Sequence, residues 1–201
     1  MNVSMSYPLI LASGSLRRRQ LLRDGGYEFE VVEPRYEEPV LPNDSVLPKA
    51  WAEALAYYKA RGVAFERPEA VVIGADTIVV NGGQIIGKPR DEEHAREILK
   101  NQFVGRNEVI TGLAVVLPGQ LGRIITHVRT VLMMRAMTEQ ELEEYLAAGT
   151  WQGKAGAYAY QEGGDNFVEA IEGSESNVVG LPMEKLGEIF EMVNRWQNQS
   201  D

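Results

Sequence analysis

Five short stretches are candidates for chemistry on an anionic substrate. Ser13-Gly14-Ser15-Leu16-Arg17-Arg18-Arg19 follows an apolar run and opens a helix. Free backbone N–H groups at such a start favour an anion, and arginines in the first turn donate to phosphate oxygens in pairs. The other reading of this stretch is a capped helix with a solvated basic face. Gly74-Ala75-Asp76-Thr77 places a carboxylate at the end of an apolar strand. Burying that charge without a partner is costly, so Asp76 is a candidate metal ligand or general base, or else a turn cap. Gly87-Lys88-Pro89 projects Lys88 from a constrained turn, towards a phosphate, towards Asp76 or into solvent. In Gly153-Lys154-Ala155-Gly156-Ala157-Tyr158-Ala159-Tyr160-Gln161 small residues allow close backbone approach. The Gln161 amide both donates and accepts, as reading a base edge requires. Glu172 to Pro182 reads as a polar loop before a last helix.

The elements that must position these residues follow from hydrophobic periodicity. Pro8 to Ala12 reads as a buried strand, Leu16 to Asp24 as a helix capped by Ser15 and ended by Gly25-Gly26, and Phe29 to Val32 as a second strand. Pro34 to Asp44 is proline-rich and acidic and reads as a loop. A helix is expected over Leu47 to Gly62 with Trp51, Leu55 and Tyr58 on one face, then a strand over Ala70 to Ala75. Ile78 to Ile86 has the pattern of a hairpin turning at Gly82-Gly83. Further helices are expected from Asp91 to Gln102, from the Thr138/Glu141 capping box to before Gly149, and from Pro182 onwards. Thr111 to Leu117 pairs with Arg123 to Met134, and Ala155 to Gln161 and Asn166 to Ile171 read as short strands or extended loops. The class is α/β, and the central hairpins argue against a purely doubly wound sheet.

Composition removes several chemistries. The chain has 201 residues, 44% hydrophobic and 24% charged, which suits one domain with a packed core. Without cysteine there is no disulfide, zinc-thiolate site or thiol nucleophile. A net charge of -9 disfavours a broad duplex-binding surface, so no nucleic-acid partner is expected. An anionic small molecule would need a local basic cluster, a divalent cation, or both. The only histidines, His94 and His127, form no H-x-x-x-H pair and suit solvated positions better than a Ser-His-Asp triad. Neither a Walker A loop nor a membrane-spanning apolar run is present, and Met1 to Ser6 is short and polar for a signal peptide. The expected location is the cytoplasm.

Taken in order, Leu11-Ala12-Ser13-Gly14-Ser15-x-Arg17-Arg18, Glu37-Glu38-Pro39, Leu55-Ala56-x-x-Lys59-Ala60, Gly74-Ala75-Asp76-Thr77, Gly87-Lys88-Pro89, Thr111-Gly112, Gly153 to Tyr158 and Ser176 to Pro182 closely resemble the Maf family. The resemblance runs from about Leu9 to the last helix. It implies a two-lobed mixed sheet with flanking helices and a deep central cleft, similar to the inosine triphosphate pyrophosphatases. It implies cleavage of a nucleoside triphosphate between its α- and β-phosphates, with the Ser176 to Pro182 segment closer to the dTTP/UTP branch than to the 7-methyl-GTP branch. Asp76 matches the catalytic aspartate, Arg17 and Arg18 the paired arginines and Lys59 and Lys88 the two motif lysines, which makes Arg17, Lys59 and Lys88 the further implied catalytic residues. Ser13, Ser15, Arg17, Arg18, Thr77 and Gln161 are the expected substrate contacts, and Arg17, Thr77 and Gln161 fall at positions tied to substrate preference. Glu37 and Asp76 are the implied ligands of Mg²⁺ or Mn²⁺, and a homodimer is a family-level expectation. The alternatives are a pyrophosphatase for modified nucleotides and a nucleotide-binding regulator of septum formation. Three positions depart from the family pattern: Leu16 replaces a proline, Asn107 stands near a common histidine, and Glu162 replaces a glycine beside the glutamine.

Overall fold

The computed structural model describes residues 7–35, 39, 46–102, 104–120, 122–158, 160 and 165–197. Seven strands form one mixed sheet: β1 (Leu9–Ala12), β2 (Glu30–Val32), β3 (Val71–Asn81), β4 (Gln84–Ile86), β5 (Gly105–Val116), β6 (Arg123–Met134) and β7 (Val168–Glu172). The order is β2-β1-β3-β5-β6-β7, with β4 paired to β3. β1 runs parallel to β2 and β3, and the remaining pairs are antiparallel. Among the described residues six α-helices flank the sheet: α1 (Leu16–Asp24), α2 (Pro48–Glu66), α3 (Glu92–Gln102), α4 (Glu139–Ala147), α5 (Glu175–Val179) and α6 (Met183–Gln197). The α/β class and the mixed sheet agree with the expectation from sequence.

Strand alternation explains the layering. Leu9, Leu11, Val71, Ile73 and Ala75 pack with Leu22, Leu186 and Phe190, so α1 and α6 cover one face. The intervening Ile10, Ala12 and Val72 meet Ala56, Ala60 and Val63 of α2 on the other. A further cluster at the far end of the sheet joins Leu99, Leu132, Tyr145, Trp151, Tyr158 and Phe167. Burial on both faces is why β1 and the first half of β3 read as unbroken apolar runs rather than alternating ones.

Several expectations change. Asp76 does not end a strand. β3 runs through it from Val71 to Asn81, 11 residues in all, and the Asp76 backbone lies opposite Gly112. The strand tolerates the charge because the carboxylate meets an ammonium group. Helix α2 runs four residues past Gly62, and Tyr58 points outward. Its buried positions are chiefly alanines, because here the helix approaches the sheet too closely for large side chains. β5 starts at Gly105, ahead of Thr111. Ala155–Ala157 forms a 3-10 turn with positive φ at Gly156 and Ala157, so no strand starts there. The loop before the last helix contains α5, capped by the Ser174 hydroxyl. Of Pro34 to Asp44, only residues 34, 35 and 39 are among the described residues.

Candidate active site

The site lies where β3 changes partners along one edge. Val71–Ile73 pair with β1 in parallel, and Val79–Asn81 pair with β4 in antiparallel sense. The opposite edge of β3 pairs with β5 through Asp76 and Thr77. Between β1 and β4 the stretch 74–78 meets no strand on its free edge among the described residues. This opening lies at the carboxyl ends of parallel strands, where open α/β sheets generally bind ligands.

Helix α2 delivers the first cation. A Cβ on Gly74 would lie 2.2 Å from the Ala56 carbonyl oxygen, and one on Gly112 would lie 2.1 Å from that of Ala52. The helix backbone therefore rests directly on β3 and β5, with Ala52, Ala56 and Ala60 along the contact. Lys59, one residue from that stripe, donates its Nζ to the Asp76 carboxylate. Both side chains are largely buried, at 14% and 10% exposure, so each charge meets its opposite inside the sheet.

The start of α1 supplies the next group. Ser15 caps the helix by accepting from the Arg18 backbone N–H. Ser13 is buried, and its hydroxyl accepts from the Ser15 N–H and from Arg18 Nη1. Arg18 also donates Nε to the Gly180 carbonyl at 2.7 Å and Nη2 to Thr77 Oγ1 at 3.1 Å. Its guanidinium thus ties α1, β3 and the end of α5 together. Gly180 has a φ of +121°, and a Cβ there would crowd both Thr77 and Arg18. Arg19 turns away to Glu33, so the three arginines do not act as one patch.

Thr77 and Thr111 continue this polar chain inward. Their hydroxyl oxygens lie 2.9 Å apart, and Thr111 donates to the Asn177 carbonyl. The Asn177 amide donates to the Val109 carbonyl and to Thr130. Ser174 and Ser176 donate to the Glu184 carboxylate. Burial works against ionisation of Glu184, but the backbone N–H and these two hydroxyls outweigh it and hold the carboxyl below its ordinary range. By sequence alone Glu172 to Pro182 reads as a polar loop. Its hydroxyl and amide residues form this network instead, a partner set that no local pattern specifies.

These elements enclose a cavity of about 580 Å³. Ser15, Arg17, Arg18, Lys59, Asp76, Thr77 and Lys88 all line it, whereas Ser13 supports it from behind. Lys154 lines it too, so five cationic side chains surround one carboxylate among the described lining residues. That is the local basic cluster an acidic chain needs in order to hold an anion. The lysine turn is held in place by the Gly156 N–H, which donates to the Gly87 carbonyl at 3.0 Å. Trp51, Ile85, Ile86, Tyr158 and Val178 give the cavity an apolar wall suited to a flat ring. Tyr158 and Val178 fall within the motif stretches Gly153 to Gln161 and Ser176 to Pro182, whereas for Trp51, Ile85 and Ile86 the sequence offers only the position of Ile85-Ile86 directly before Gly87-Lys88. Glu37 and Gln161 lie outside the described residues.

Comparison with known proteins decides the family. The Maf-like protein family matches residues 8–193. The chain belongs to the Maf family. It is 43% identical to a dTTP/UTP pyrophosphatase of Alkaliphilus metalliredigens over 184 residues, covering 90% of this chain and 94% of that one. A Vibrio cholerae protein of the same description is 44% identical, covering 87% and 92%. One from Aquifex aeolicus is 42% identical, covering 92% and 95%. In this Maf chain the motif glycines and alanines set helix-to-sheet distance, and the motif lysines and Asp76 meet in the cavity.

Proposed function

We propose that this chain hydrolyses dTTP and UTP to the nucleoside monophosphate and pyrophosphate. The carrying observation is one cavity that holds Asp76 among Arg17, Arg18, Lys59, Lys88 and Lys154 beside an apolar wall. The cations suit a triphosphate and the apolar wall suits a base. The names of the relatives supply the reaction and the pyrimidine preference.

In this reading Asp76 takes a proton from the attacking water as its oxygen bonds to the α-phosphorus. The bond from that phosphorus to the bridging oxygen breaks, and pyrophosphate leaves with the electron pair. Lys59 holds the Asp76 carboxylate in place, and with Lys88 offsets the charge gathering on the leaving group. Arg17 and Ser15 hold phosphate oxygens at the start of α1, and Arg18 fixes the surrounding frame. Asp76 and Glu37 would hold Mg²⁺ or Mn²⁺. Among the described residues no three acidic or histidine side chains converge on such an ion. One lining carboxylate still fits, because Mg²⁺ commonly binds through one or two carboxylates and substrate phosphates. When bound, the cation would screen the triphosphate.

The single-domain, two-lobed organisation belongs to the same proposal, supported by two separate apolar clusters. No helix of the described residues is long and apolar enough to cross a membrane.

The test is pyrophosphate release from dTTP, UTP, CTP, GTP, ATP and 7-methyl-GTP with Mg²⁺ present. The expected order places dTTP and UTP first by kcat/KM. A purine leading by more than about tenfold, equivalent to about 1.4 kcal/mol, would overturn the pyrimidine assignment. No pyrophosphate from any nucleotide would overturn the enzyme assignment.

A further inference from the structure

The hydroxyl hydrogen bonds around Thr77 have only one consistent direction. A threonine hydroxyl has one proton to donate and two lone pairs that accept. Thr111 lies 2.9 Å from the Asn177 carbonyl oxygen, which can only accept, so the Thr111 proton is committed there. Thr111 must then accept from Thr77, 2.9 Å away. The Thr77 proton is thereby committed as well. One of its lone pairs receives Arg18 Nη2 at 3.1 Å. Thr111 is fully buried in the sheet and Thr77 is partly exposed along the cavity wall. What Thr77 has left to offer a ligand is a single lone pair.

We propose that Thr111 is a positioning residue that fixes the direction of the Thr77 hydroxyl, so that Thr77 faces the cavity solely as an acceptor and meets an N–H or O–H donor of the substrate. This rests on the nucleotide reading above and specifies one of its contacts. A phosphate or carbonyl oxygen at that point would face a lone pair and be repelled. Thymine and uracil carry one ring N–H, and a nucleoside also carries sugar hydroxyls, so two parts of the substrate could supply the donor. The Thr111–Asn177 bond also explains why a threonine is needed in the middle of a buried strand. Valine would fill the same volume but would leave the Asn177 carbonyl and the Thr77 proton without their partners.

The experiment combines protein variants with substrate analogues. Wild type, Thr77→Val, Thr111→Val and Thr111→Ser are assayed for pyrophosphate release from dTTP, N3-methyl-dTTP and 3′-deoxy-dTTP, with folding checked by thermal melting. In wild type, one analogue is expected to lose at least tenfold in kcat/KM, and which one identifies the donor as base or sugar. In Thr77→Val, which keeps the shape but not the lone pair, that loss should shrink to under threefold. Thr111→Val should also shrink it, with kcat for dTTP less affected than KM, and Thr111→Ser should restore it. If Thr111→Val does not fold, the Thr77→Val comparison decides alone. The proposal is overturned if both analogues match dTTP in wild type, or if the loss is unchanged in Thr77→Val and therefore steric. If wild type releases no pyrophosphate from dTTP, the functional reading and this inference fall together; loss of the analogue effect alone sinks only the inference.

Discussion

Asp76 joins a structural position to the chemical role proposed for it. Its backbone is a rung of the β3–β5 ladder and its carboxylate pairs with Lys59. Asp76→Asn keeps the shape and leaves an amide oxygen for Lys59, so the fold should survive while turnover falls by about 10²–10⁴-fold, as for loss of a general base. Pyrophosphate release beside a melting curve checks this, and near-wild-type activity would remove Asp76 from the mechanism. Arg17→Ala and Lys88→Ala should likewise lower activity more than melting temperature, since both line the cavity rather than the apolar core. Normal specific activity with a much lower melting temperature in both would make them structural. Arg18 differs: it donates to Gly180, Ser13 and Thr77, so Arg18→Ala should lower both stability and activity.

At the scale of elements, the contact between α2 and the sheet governs where Lys59 sits. Gly74→Ala and Gly112→Ala would each drive a methyl group into the α2 backbone. Each should destabilise by about 1–3 kcal/mol or more, the usual range for overpacking, and should reduce activity by moving Lys59 from Asp76. Gly62→Ala is the internal control. It lies in the same helix with nothing within 4 Å of a new Cβ, so it should be neutral or stabilise by up to about 1 kcal/mol. Urea unfolding of the three variants compares them directly. Equal effects at all three positions would show that close packing is not what those glycines provide.

For the whole molecule, charge sets two expectations. Glu141 caps α4, and its carboxyl is held down to about 2 from 4.5, first by the Arg135 guanidinium and then by the Thr138 backbone N–H. A folded-state value below the unfolded one means the unfolded chain binds the proton first on acidification. The stability from this group is therefore complete above about pH 4.5 and is lost as pH falls towards 2. Glu141→Gln should flatten that part of a pH-stability curve, and an unchanged slope would contradict the assignment. The second expectation concerns the ligand. An acidic chain of net charge -9 holding a triphosphate beside Asp76 should need a divalent cation. Exhaustive EDTA treatment should abolish pyrophosphate release and Mg²⁺ should restore it; full activity in EDTA would end the metal proposal.

Much of this organisation was legible in the amino-acid order. Apolar runs, the Ser15 cap, the Gly82-Gly83 turn and the Thr138/Glu141 box are local signals, and each appears where the residues placed it. The motif order pointed to the family, and with it to Asp76, Arg17, Lys59 and Lys88. Local pattern could not show that β3 runs on through Asp76, because what offsets that charge is Lys59, seventeen positions away in sequence. It could not show that the alanines of α2 are its buried face, because the reason is two glycines on other elements. Nor could it give the direction of the Thr77 hydroxyl, which depends on a carbonyl 66 residues beyond Thr111. Sequence alone determined what depends on neighbours along the chain: caps, turns, apolar periodicity and the inventory of reactive groups. Tertiary structure decided which charges meet, how near the backbones come and which way each proton points, because those energies depend on distances that folding creates.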